Sequence, residues 1–299
     1  MKSRAGFLMG LVGTGVTPSL TPPLHMEEAR AQGLAYIYQP IELTALGLEP
    51  DALPQILDWA ERLGFDALNI THPCKRTVIP LLDRLDPVAA ALGAVNTVLF
   101  APEGRVGYNT DTSGFERAFH QSLPGAGVRG IVQIGAGGAG SAVADALMRG
   151  GAEDLVIVEI AQDLATDLAA QLSARHGRPV RSATTAELPG LLRNADGVVN
   201  CTPVGMHHHP GVPFDPALLH PTQWVADIVY RPLDTDLLIA ARALGCRTLH
   251  GGHMAVGQAA DTFRLVTGRD ANLHRMHHQF RSLIDAEEAA SSPMTKESL

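Results

Sequence analysis

The most informative segment of the chain reads VQIGAGGAG, from Val132 to Gly140. An apolar strand runs into the spacing G-x-G-x-x-G, in which glycines permit a tight turn, close approach of the backbone to a pyrophosphate, and close packing of the next helix on the strand. The pattern predicts a strand, a phosphate-binding turn and a helix. The residues assigned to the turn are Gly135, Ala136, Gly137, Gly138, Ala139 and Gly140.

A second apolar strand follows the predicted helix and ends at Glu159. Dinucleotide sites hold the ribose hydroxyls with a carboxylate about twenty residues after the glycines. The combination of strand, glycines, helix, strand and acid favours a cofactor site over a purely structural turn. The alternative is that Glu159 only ends a strand and faces solvent.

The residues after the second strand also indicate which cofactor is bound. The segment from Glu159 to Asp163 contains no Arg or Lys that could pair with the 2′-phosphate of NADP. A carboxylate about 4 Å from that phosphate would cost on the order of 1 to 4 kcal/mol per charge pair, depending on the effective dielectric constant. The sequence therefore predicts NAD rather than NADP.

The composition is that of a globular protein long enough for two domains. The chain has 299 residues, of which 45% are hydrophobic and 18% are charged. Its formal net charge of -8 argues against a nucleic-acid partner. No apolar run reaches the roughly 18 residues of a membrane helix. Because the three cysteines show no C-x-x-C spacing and the N-terminal apolar run shows no clear cleavage site, we expect a reduced, cytoplasmic protein.

Strands and helices alternate along the chain. Apolar strands are predicted at residues 7–12, 35–43 and 65–70, and the alternation resumes after the glycine turn as far as residue 244. This order predicts the α/β class with two domains. The N-terminal domain is expected to be a mainly parallel α/β unit, and the second a doubly wound Rossmann-type cofactor domain.

Polar side chains gather where predicted strands end. Asn69, Thr71 and Lys75 follow one strand, and Asn96 and Asp111 follow later apolar runs. Each of these residues alone would usually be a turn residue, because Asn, Thr and Asp favour turns through local hydrogen bonds. Their grouping at strand ends predicts a site.

Three other polar features allow two interpretations each. Ser19 and Thr21 fit helix capping and ligand contact equally well. Gln258 lies opposite the apolar stripe of a predicted helix and faces either a cleft or water. The run His207 to His209 suggests a metal, but adjacent histidines in one loop rarely converge on one ion, so we expect no metal.

Seven separated motifs resemble the shikimate and quinate dehydrogenase family over about residues 10–281. In the family's order they are Ser19-x-Thr21-Pro22, Asn69-Ile70-Thr71-x-Pro73-x-Lys75, Ala94-Val95-Asn96-Thr97, Asn109-Thr110-Asp111, Gly135 to Gly140, Asn200-x-Thr202-x-x-Gly205-Met206 and Met254-x-x-x-Gln258-Ala259. The chain is most similar to the NAD-using quinate/shikimate type. The distinguishing residues are Thr21, where strict shikimate enzymes commonly have Ser, and Glu159, where NADP-using members carry a basic motif.

The resemblance implies oxidation of a ring hydroxyl of shikimate or quinate to the 3-dehydro ketone, with Lys75 and Asp111 as the catalytic pair. Which of the two accepts the proton is left open. The residues implied to surround the substrate are Ser19, Thr21, Asn69, Thr71, Asn96, Tyr230 and Gln258. Besides the glycine turn and Glu159, the residues implied to bind NAD are Asn200, Thr202, Pro203, Gly205, Met206, Gly251 and Met254.

The resemblance also implies a division of the chain. A substrate domain would comprise residues 1–118 and recruit C-terminal helices from 250–286, and a cofactor domain would comprise residues 119–249. Residues 287–299, rich in Ser, Ala, Glu and Lys, are expected to form a disordered tail. A homodimer is compatible with the sequence. NAD dependence would favour quinate breakdown over aromatic amino acid biosynthesis.

Two other functions are compatible with these residues. One is a dehydrogenase for an amino analogue of shikimate or another cyclic polyol, because an amino group in place of a hydroxyl is a small change. The other is a non-catalytic protein that senses quinate pathway metabolites. Retention of both Lys75 and Asp111 argues against the sensor.

Overall fold

The computed structural model describes residues 6–291 and contains two six-stranded sheets. The first sheet has the order β2-β1-β3-β5-β6-β4. Its strands are β1 (Phe7–Gly13), β2 (Tyr36–Glu42), β3 (Ala67–Ile70), β4 (Arg84–Leu85), β5 (Thr97–Ala101) and β6 (Gly104–Tyr108). Three pairings are parallel, whereas β5 is antiparallel to both β3 and β6. The sheet is therefore mixed, since β5 and β6 are joined by a hairpin too short for a crossover.

The second sheet is entirely parallel and has the order β12-β11-β10-β7-β8-β9. Its strands are β7 (Gly130–Ile134), β8 (Asp154–Val158), β9 (Val180–Ala183), β10 (Gly197–Asn200), β11 (Trp224–Asp227) and β12 (Arg247–His250). Counted from its own first strand, this is the Rossmann order 3-2-1-4-5-6 read backwards. The predicted α/β class with a Rossmann-type unit is confirmed.

Helices cover both sheets. Those that accompany the first sheet are α1 (Thr21–Ala31), α2 (Leu53–Arg62), α3 (Cys74–Thr77), α4 (Pro87–Leu92) and α5 (Asp111–Ser122). Those of the second are α6 (Gly138–Arg149), α7 (Gln162–His176), α8 (Leu188–Leu192) and α9 (Asp236–Ala243). The chain ends with α10 (Gly251–Thr267) and α11 (Leu273–Ser291). No helix within residues 6–291 is long and apolar enough to cross a bilayer.

The last two helices return to the N-terminal half of the chain. Leu20 and Leu24 share one apolar cluster with Val256 of α10 and Met276 of α11. The fully buried Glu28 carboxylate of α1 accepts hydrogen bonds of 2.7 and 2.8 Å from the Arg275 guanidinium of α11. Helix α11 continues through residues 287–291, so the helix extends into the segment expected to be a tail. Residues 292–299 of that segment lie outside the described residues.

Helix α10 approaches α5 closely because two glycines face each other. A Cβ added at Gly257 would lie 2.9 Å from the Gly114 Cα, and one added at Gly114 would lie 2.7 Å from the Gln258 backbone nitrogen. Real Cβ atoms do not tolerate such distances, so the contact requires glycine at both positions. The first turns of α5 thus lie directly beside the middle of α10.

His25 of α1 is enclosed by aromatic rings. It is fully buried, its ring centroid lies 5.2 Å from that of Tyr38 and 6.1 Å from that of Phe263, and its Nδ1 lies 3.2 Å from the Tyr36 hydroxyl. Burial lowers the pKa of His25 from 6.5 to about 3, and nearby Glu28 opposes this shift only weakly. The folded protein therefore holds His25 neutral.

We expect His25→Leu to reduce the acid sensitivity of folding. Because the pKa of His25 is lower in the folded state, its neutral form stabilises the fold above pH 6.5, and this stabilisation is lost as the pH falls from 6.5 towards 3. Removing this one proton should reduce the slope of unfolding free energy against pH by about 1.4 kcal/mol per pH unit between pH 6 and 5. Urea unfolding at a series of pH values measures the slope.

The matched control is His278→Gln, since His278 is exposed on α11. Some slope should remain in His25→Leu, because burial also lowers the pKa values of His250 and His277 to about 4. Equal slopes for His25→Leu and the wild type would contradict the expectation.

Candidate active site

Lys75 and Asp111 meet although thirty-six positions separate them in sequence. The Lys75 Nζ lies 2.6 Å from the Asp111 Oδ2. Lys75 belongs to the short helix α3 that follows β3, and Asp111 begins α5 after β6. The Lys75 side chain is 20% exposed and that of Asp111 is 9% exposed. An ammonium and a carboxylate in this contact form a charge-assisted hydrogen bond, and the pair remains partly accessible from solvent.

The Asp111 carboxylate is oriented by amides. Its Oδ1 accepts a 3.0 Å bond from the Asn96 Nδ2, and its backbone nitrogen donates to the Asn109 Oδ1 at 3.0 Å. Asn109 in turn donates to the Ala94 carbonyl at 3.0 Å. With Oδ1 held by Asn96, the other oxygen is directed at Lys75.

The side-chain amides of Asn69 and Asn96 are held by other groups of the protein. The Asn69 Oδ1 accepts from the Tyr38 hydroxyl, and its Nδ2 donates to the Asn96 carbonyl at 3.1 Å and to the Thr97 hydroxyl at 2.9 Å. Both Asn side chains belong to residues that are only 4% exposed. In this arrangement Asn69 supports Asn96, and Asn96 supports Asp111.

The expected substrate residues Ser19, Thr21 and Thr71 lie near the end of β1. Ser19 belongs to the loop after β1, Thr21 begins α1, and Thr71 follows β3, with its backbone nitrogen 3.0 Å from the Val12 carbonyl of β1. The Ser19 hydroxyl accepts a 3.3 Å bond from the Thr21 backbone nitrogen at the start of α1, so Ser19 supports the helix start. The Glu42 carboxylate fixes the loop before it, accepting from the backbone nitrogens of Gly15 at 2.8 Å and Thr17 at 3.1 Å.

Tyr230 and Gln258 come from the C-terminal part of the chain. The Tyr230 ring packs on Phe280 of α11 with centroids 5.9 Å apart, and burial raises the pKa of Tyr230. The Gln258 Nε2 donates to the Ala255 carbonyl at 3.1 Å, and its Oε1 is left to bond elsewhere. The expected substrate residues that make no direct hydrogen bond to Lys75 or Asp111 within residues 6–291 are Ser19, Thr21, Asn69, Thr71, Tyr230 and Gln258.

The glycine turn is braced by a glutamine inside β7. The buried Gln133 Nε2 donates to the Gly135 carbonyl at 2.9 Å and to the Gly140 carbonyl at 2.8 Å. Gly135 has a φ of +103°, and a Cβ at Gly140 would lie 2.5 Å from the Gly135 oxygen. A side chain at either position would therefore disturb the turn, which matches the predicted strand-to-helix connection.

The glycine turn lies close to Lys75. A Cβ placed on Gly138 would lie 3.7 Å from the Lys75 Cδ, whereas one on Gly137 would meet nothing within 4 Å. Open space beside Gly137, at the amino end of the twelve-residue helix α6, suits the pyrophosphate of a dinucleotide. The residues of the turn therefore suit a dinucleotide, without distinguishing NAD from NADP.

Glu159 lies against the glycine turn. Its Oε2 accepts from the Ala136 backbone nitrogen at 3.0 Å, and its Oε1 accepts from the Ile160 nitrogen at 2.7 Å. The next side chain, Ile160, is 90% exposed. The carboxylate is therefore held at the edge of the turn, where an adenosine ribose would approach it.

The loop after β10 is shaped by two buried side chains. The Asn200 Oδ1 accepts from the Thr202 hydroxyl at 2.7 Å, and its Nδ2 donates to the Asp227 Oδ1 at 3.0 Å. Asp227 also accepts from the Thr235 hydroxyl at 2.8 Å, and burial raises the pKa of Asp227 to about 6. The expected cofactor residues carried by this loop are Thr202, Pro203, Gly205 and Met206.

Gly251 and Met254 occupy the first turn of α10. A Cβ at Gly251 would lie 2.1 Å from the Ile228 carbonyl, so only glycine lets α10 begin beside the end of β11. Met254 is 8% exposed and belongs to the same apolar cluster as Phe115 of α5. The two residues therefore lie where the two halves of the chain meet.

Several side chains that shape the site were not assigned to it from the sequence. Thr97, Thr110 and Asn109 stand inside the quoted motifs, so the signal for them was present. Gln133 and Asp227 are polar residues inside or ending apolar strands, which is itself a signal. The residue without a sequence signal is Tyr38. Among residues 6–291, no group of three or more His, Cys, Asp or Glu is arranged to hold a metal ion.

Comparisons with known proteins agree on one family. Residues 11–98 match the model described as the shikimate dehydrogenase substrate binding domain. The chain is 54% identical over 286 residues to the shikimate dehydrogenase (NADP(+)) of Pseudarthrobacter chlorophenolicus, covering 95% of this chain and 98% of that one. It is 45% identical over 278 residues to the quinate/shikimate dehydrogenase (NAD(+)) of Corynebacterium efficiens, covering 92% and 98%.

A solved structure shares the architecture. The quinate dehydrogenase from Corynebacterium glutamicum in complex with NAD matches with a TM-score of 0.88 and 45% identity, covering 93% of this chain and 99% of that one. Identity of this extent across nearly the whole length confirms the family resemblance seen in the separated motifs. The chain belongs to the shikimate dehydrogenase family.

Proposed function

We propose that the protein is an NAD-preferring oxidoreductase that interconverts shikimate, quinate or both with the corresponding 3-dehydro ketone. The ring carbon that bears the hydroxyl loses a hydride to the cofactor, and the hydroxyl loses its proton, so that alcohol and NAD⁺ give ketone, NADH and a proton. The observation that carries this proposal is the 2.6 Å contact between Lys75 and Asp111 beside the glycine turn.

We assign proton exchange with the substrate hydroxyl to Lys75 and its orientation to Asp111. Hydride removal requires a group that takes the hydroxyl proton, and the reverse reaction requires a donor to the developing alkoxide. Lys75 is the more exposed member of the pair, while Asp111 already accepts from Asn96. A substrate hydroxyl bound next to the pair would therefore meet the Lys75 amine and the Asp111 Oδ2.

The remaining assignments follow from the family. Ser19, Thr21 and Tyr230 supply hydroxyls for the substrate carboxylate, and Asn69, Thr71, Asn96 and Gln258 complete the surroundings of the substrate. Residues 1–118 with 250–286 act as the substrate domain, and residues 119–249 bind the cofactor. When bound, NAD supplies the hydride acceptor. Closure of the two domains on each other would bring the nicotinamide within the roughly 3 to 3.5 Å of the substrate carbon that hydride transfer requires.

The preference for NAD rests on Glu159. Its carboxylate is bonded to the backbone of the glycine turn, and the four following residues carry no cation. A relative at 54% identity is named for NADP(+) and one at 45% for NAD(+), so the overall degree of identity does not decide the cofactor. The local charge supports NAD, because a carboxylate repels a 2′-phosphate placed on the same ribose.

We expect the purified protein to reduce NAD with a kcat/KM about tenfold or more above that for NADP, which corresponds to about 1.4 kcal/mol of charge repulsion. Glu159→Gln should raise the kcat/KM for NADP by a similar factor. NADH and NADPH formation with shikimate, quinate and an amino analogue measures cofactor and substrate preference together.

Asp163→Asn is the matched control, because Asp163 lies in the first turn of α7 and carries the same charge. It should change the cofactor ratio little. Equal or better turnover of NADP by the wild type would overturn the cofactor assignment. A protein that oxidises none of the alcohols with either cofactor would instead favour a metabolite sensor.

We expect Lys75→Met to lower kcat by about 10² to 10⁴ with a modest change in KM, because a general acid or base acts in the transition state. Steady-state kinetics in both directions measures this change. The control is Arg76→Met, which removes an exposed cation next in sequence. If Lys75→Met kept most of its kcat, Asp111 would become the candidate proton acceptor.

A further inference from the structure

Four buried side chains form a closed hydrogen-bonded ring next to Asp111. They are Asn96, Thr97, Thr110 and Thr262, with exposed fractions of 4%, 0%, 4% and 0%. Thr262 lies on α10, whereas the other three lie around the edge of the first sheet. The Thr262 hydroxyl oxygen lies 3.3 Å from that of Thr97 and 3.3 Å from that of Thr110.

The number of available protons fixes the direction of each bond. The Asn96 Oδ1 can only accept, so the single hydroxyl proton of Thr97 goes to it at 3.0 Å. Thr97 must then accept a hydrogen bond from the Thr262 hydroxyl. The single hydroxyl proton of Thr262 is used in that bond. Thr262 must accept from Thr110, and Thr110 accepts from the Asn96 Nδ2 at 2.9 Å. Every hydroxyl in the ring thus donates once and all bonds run in one direction.

Two groups outside the ring side chains, the Thr110 backbone N–H and the Asp111 carboxylate, fix which way the Asn96 amide points. Its Oδ1 also accepts from the Thr110 backbone nitrogen at 3.0 Å. A flipped amide would place its nitrogen against that N–H and its oxygen against the Asp111 Oδ1, which is a donor against a donor and an acceptor against a carboxylate. In the orientation that these two groups select, one Nδ2 hydrogen is donated to Asp111 at 3.0 Å and the other to Thr110, which sets the direction of the ring.

We propose that Thr262 is a positioning residue for the reaction, because it closes the ring that holds Asn96 and, through Asn96, sets the Asp111 carboxylate facing Lys75. This inference rests on the proposed function, in which Lys75 and Asp111 meet the substrate hydroxyl. It also couples the C-terminal helix to the chemistry, since Gln258 lies one turn before Thr262 on α10.

A second link between α5 and α10 provides a control. Asp261, next to Thr262, accepts from the Ser113 hydroxyl at 2.5 Å and from the Arg117 guanidinium at 2.6 Å. These bonds join the same two helices without involving the side chains of the ring, and the Ser113 hydroxyl lies 3.2 Å from the Thr110 backbone carbonyl. A variant at Asp261 therefore tests the packing of α10 on α5 separately from the orientation of Asn96.

The test compares Thr262→Val, Thr262→Ser and Asp261→Asn. Valine keeps the shape but leaves the Thr110 hydroxyl without its acceptor, so we expect kcat to fall about tenfold or more, with KM for NAD unchanged and a displaced pH profile of kcat. Serine keeps the hydroxyl and should restore kcat to within about twofold of the wild type. Asp261→Asn should lower Tm while kcat and its pH profile stay the same.

Crystal structures of wild type and Thr262→Val provide a readout that does not depend on turnover. We expect the variant to show a rotated Asn96 amide or Asp111 carboxylate and a longer Lys75 to Asp111 distance. Unchanged geometry together with kcat values that are equal in the Val and Ser variants would overturn the role of Thr262. Altered geometry in a protein that oxidises none of the alcohols would support the positioning role of Thr262 and contradict the proposed function.

Discussion

The close contact between α5 and α10 at Gly114 and Gly257 is the constraint on which the site depends. At this point no side chain separates the two helices, so the C-terminal part of the chain reaches the first turn of α5. Asp111 stands at the beginning of that turn, and Thr262 and Gln258 stand on the facing helix. A larger residue at either glycine would push α10 outward and would separate residues that are about 150 positions apart in sequence.

The site also illustrates how polar groups are tolerated in a buried position. Asn69, Asn96, Thr97 and Thr110 lie almost out of contact with solvent. Their hydrogen bonds go to one another, to backbone, or to the side chains of Tyr38, Asp111 and Thr262. Burying such groups without partners would be unfavourable by a few kcal/mol each. A fully bonded network instead holds Asp111 in one orientation, and it leaves Lys75 as the partly exposed cation of the pair in a chain with a net charge of -8.

Around the glycine turn the arrangement differs, because side chains mainly hold backbone groups in place. Gln133 bonds to both ends of the glycine turn, Glu159 bonds to its middle, and Asn200 with Asp227 shapes the neighbouring loop. These side chains do not react. Their effect is to hold loops at the carboxyl edge of a parallel sheet, which is where dinucleotides bind in this architecture. Solved structures named for complexes with NAD and with NADP+ share this fold, so the fold by itself is compatible with either cofactor.

Local patterns in the sequence determined the α/β class, the glycine turn, the acid at Glu159 and most strand positions, because strand periodicity and turn chemistry act over a few neighbouring residues. The motifs also named Lys75 and Asp111. Only the tertiary structure decided that these two side chains touch, that β5 runs antiparallel, and that α11 continues to Ser291. It also showed that the Asn69 and Asn96 amides are hydrogen-bonded to the groups around Asp111, while the Gln258 amide donates to the backbone of its own helix. Such distinctions depend on which groups the folded chain brings within 3 Å, and no spacing along the sequence encodes that distance.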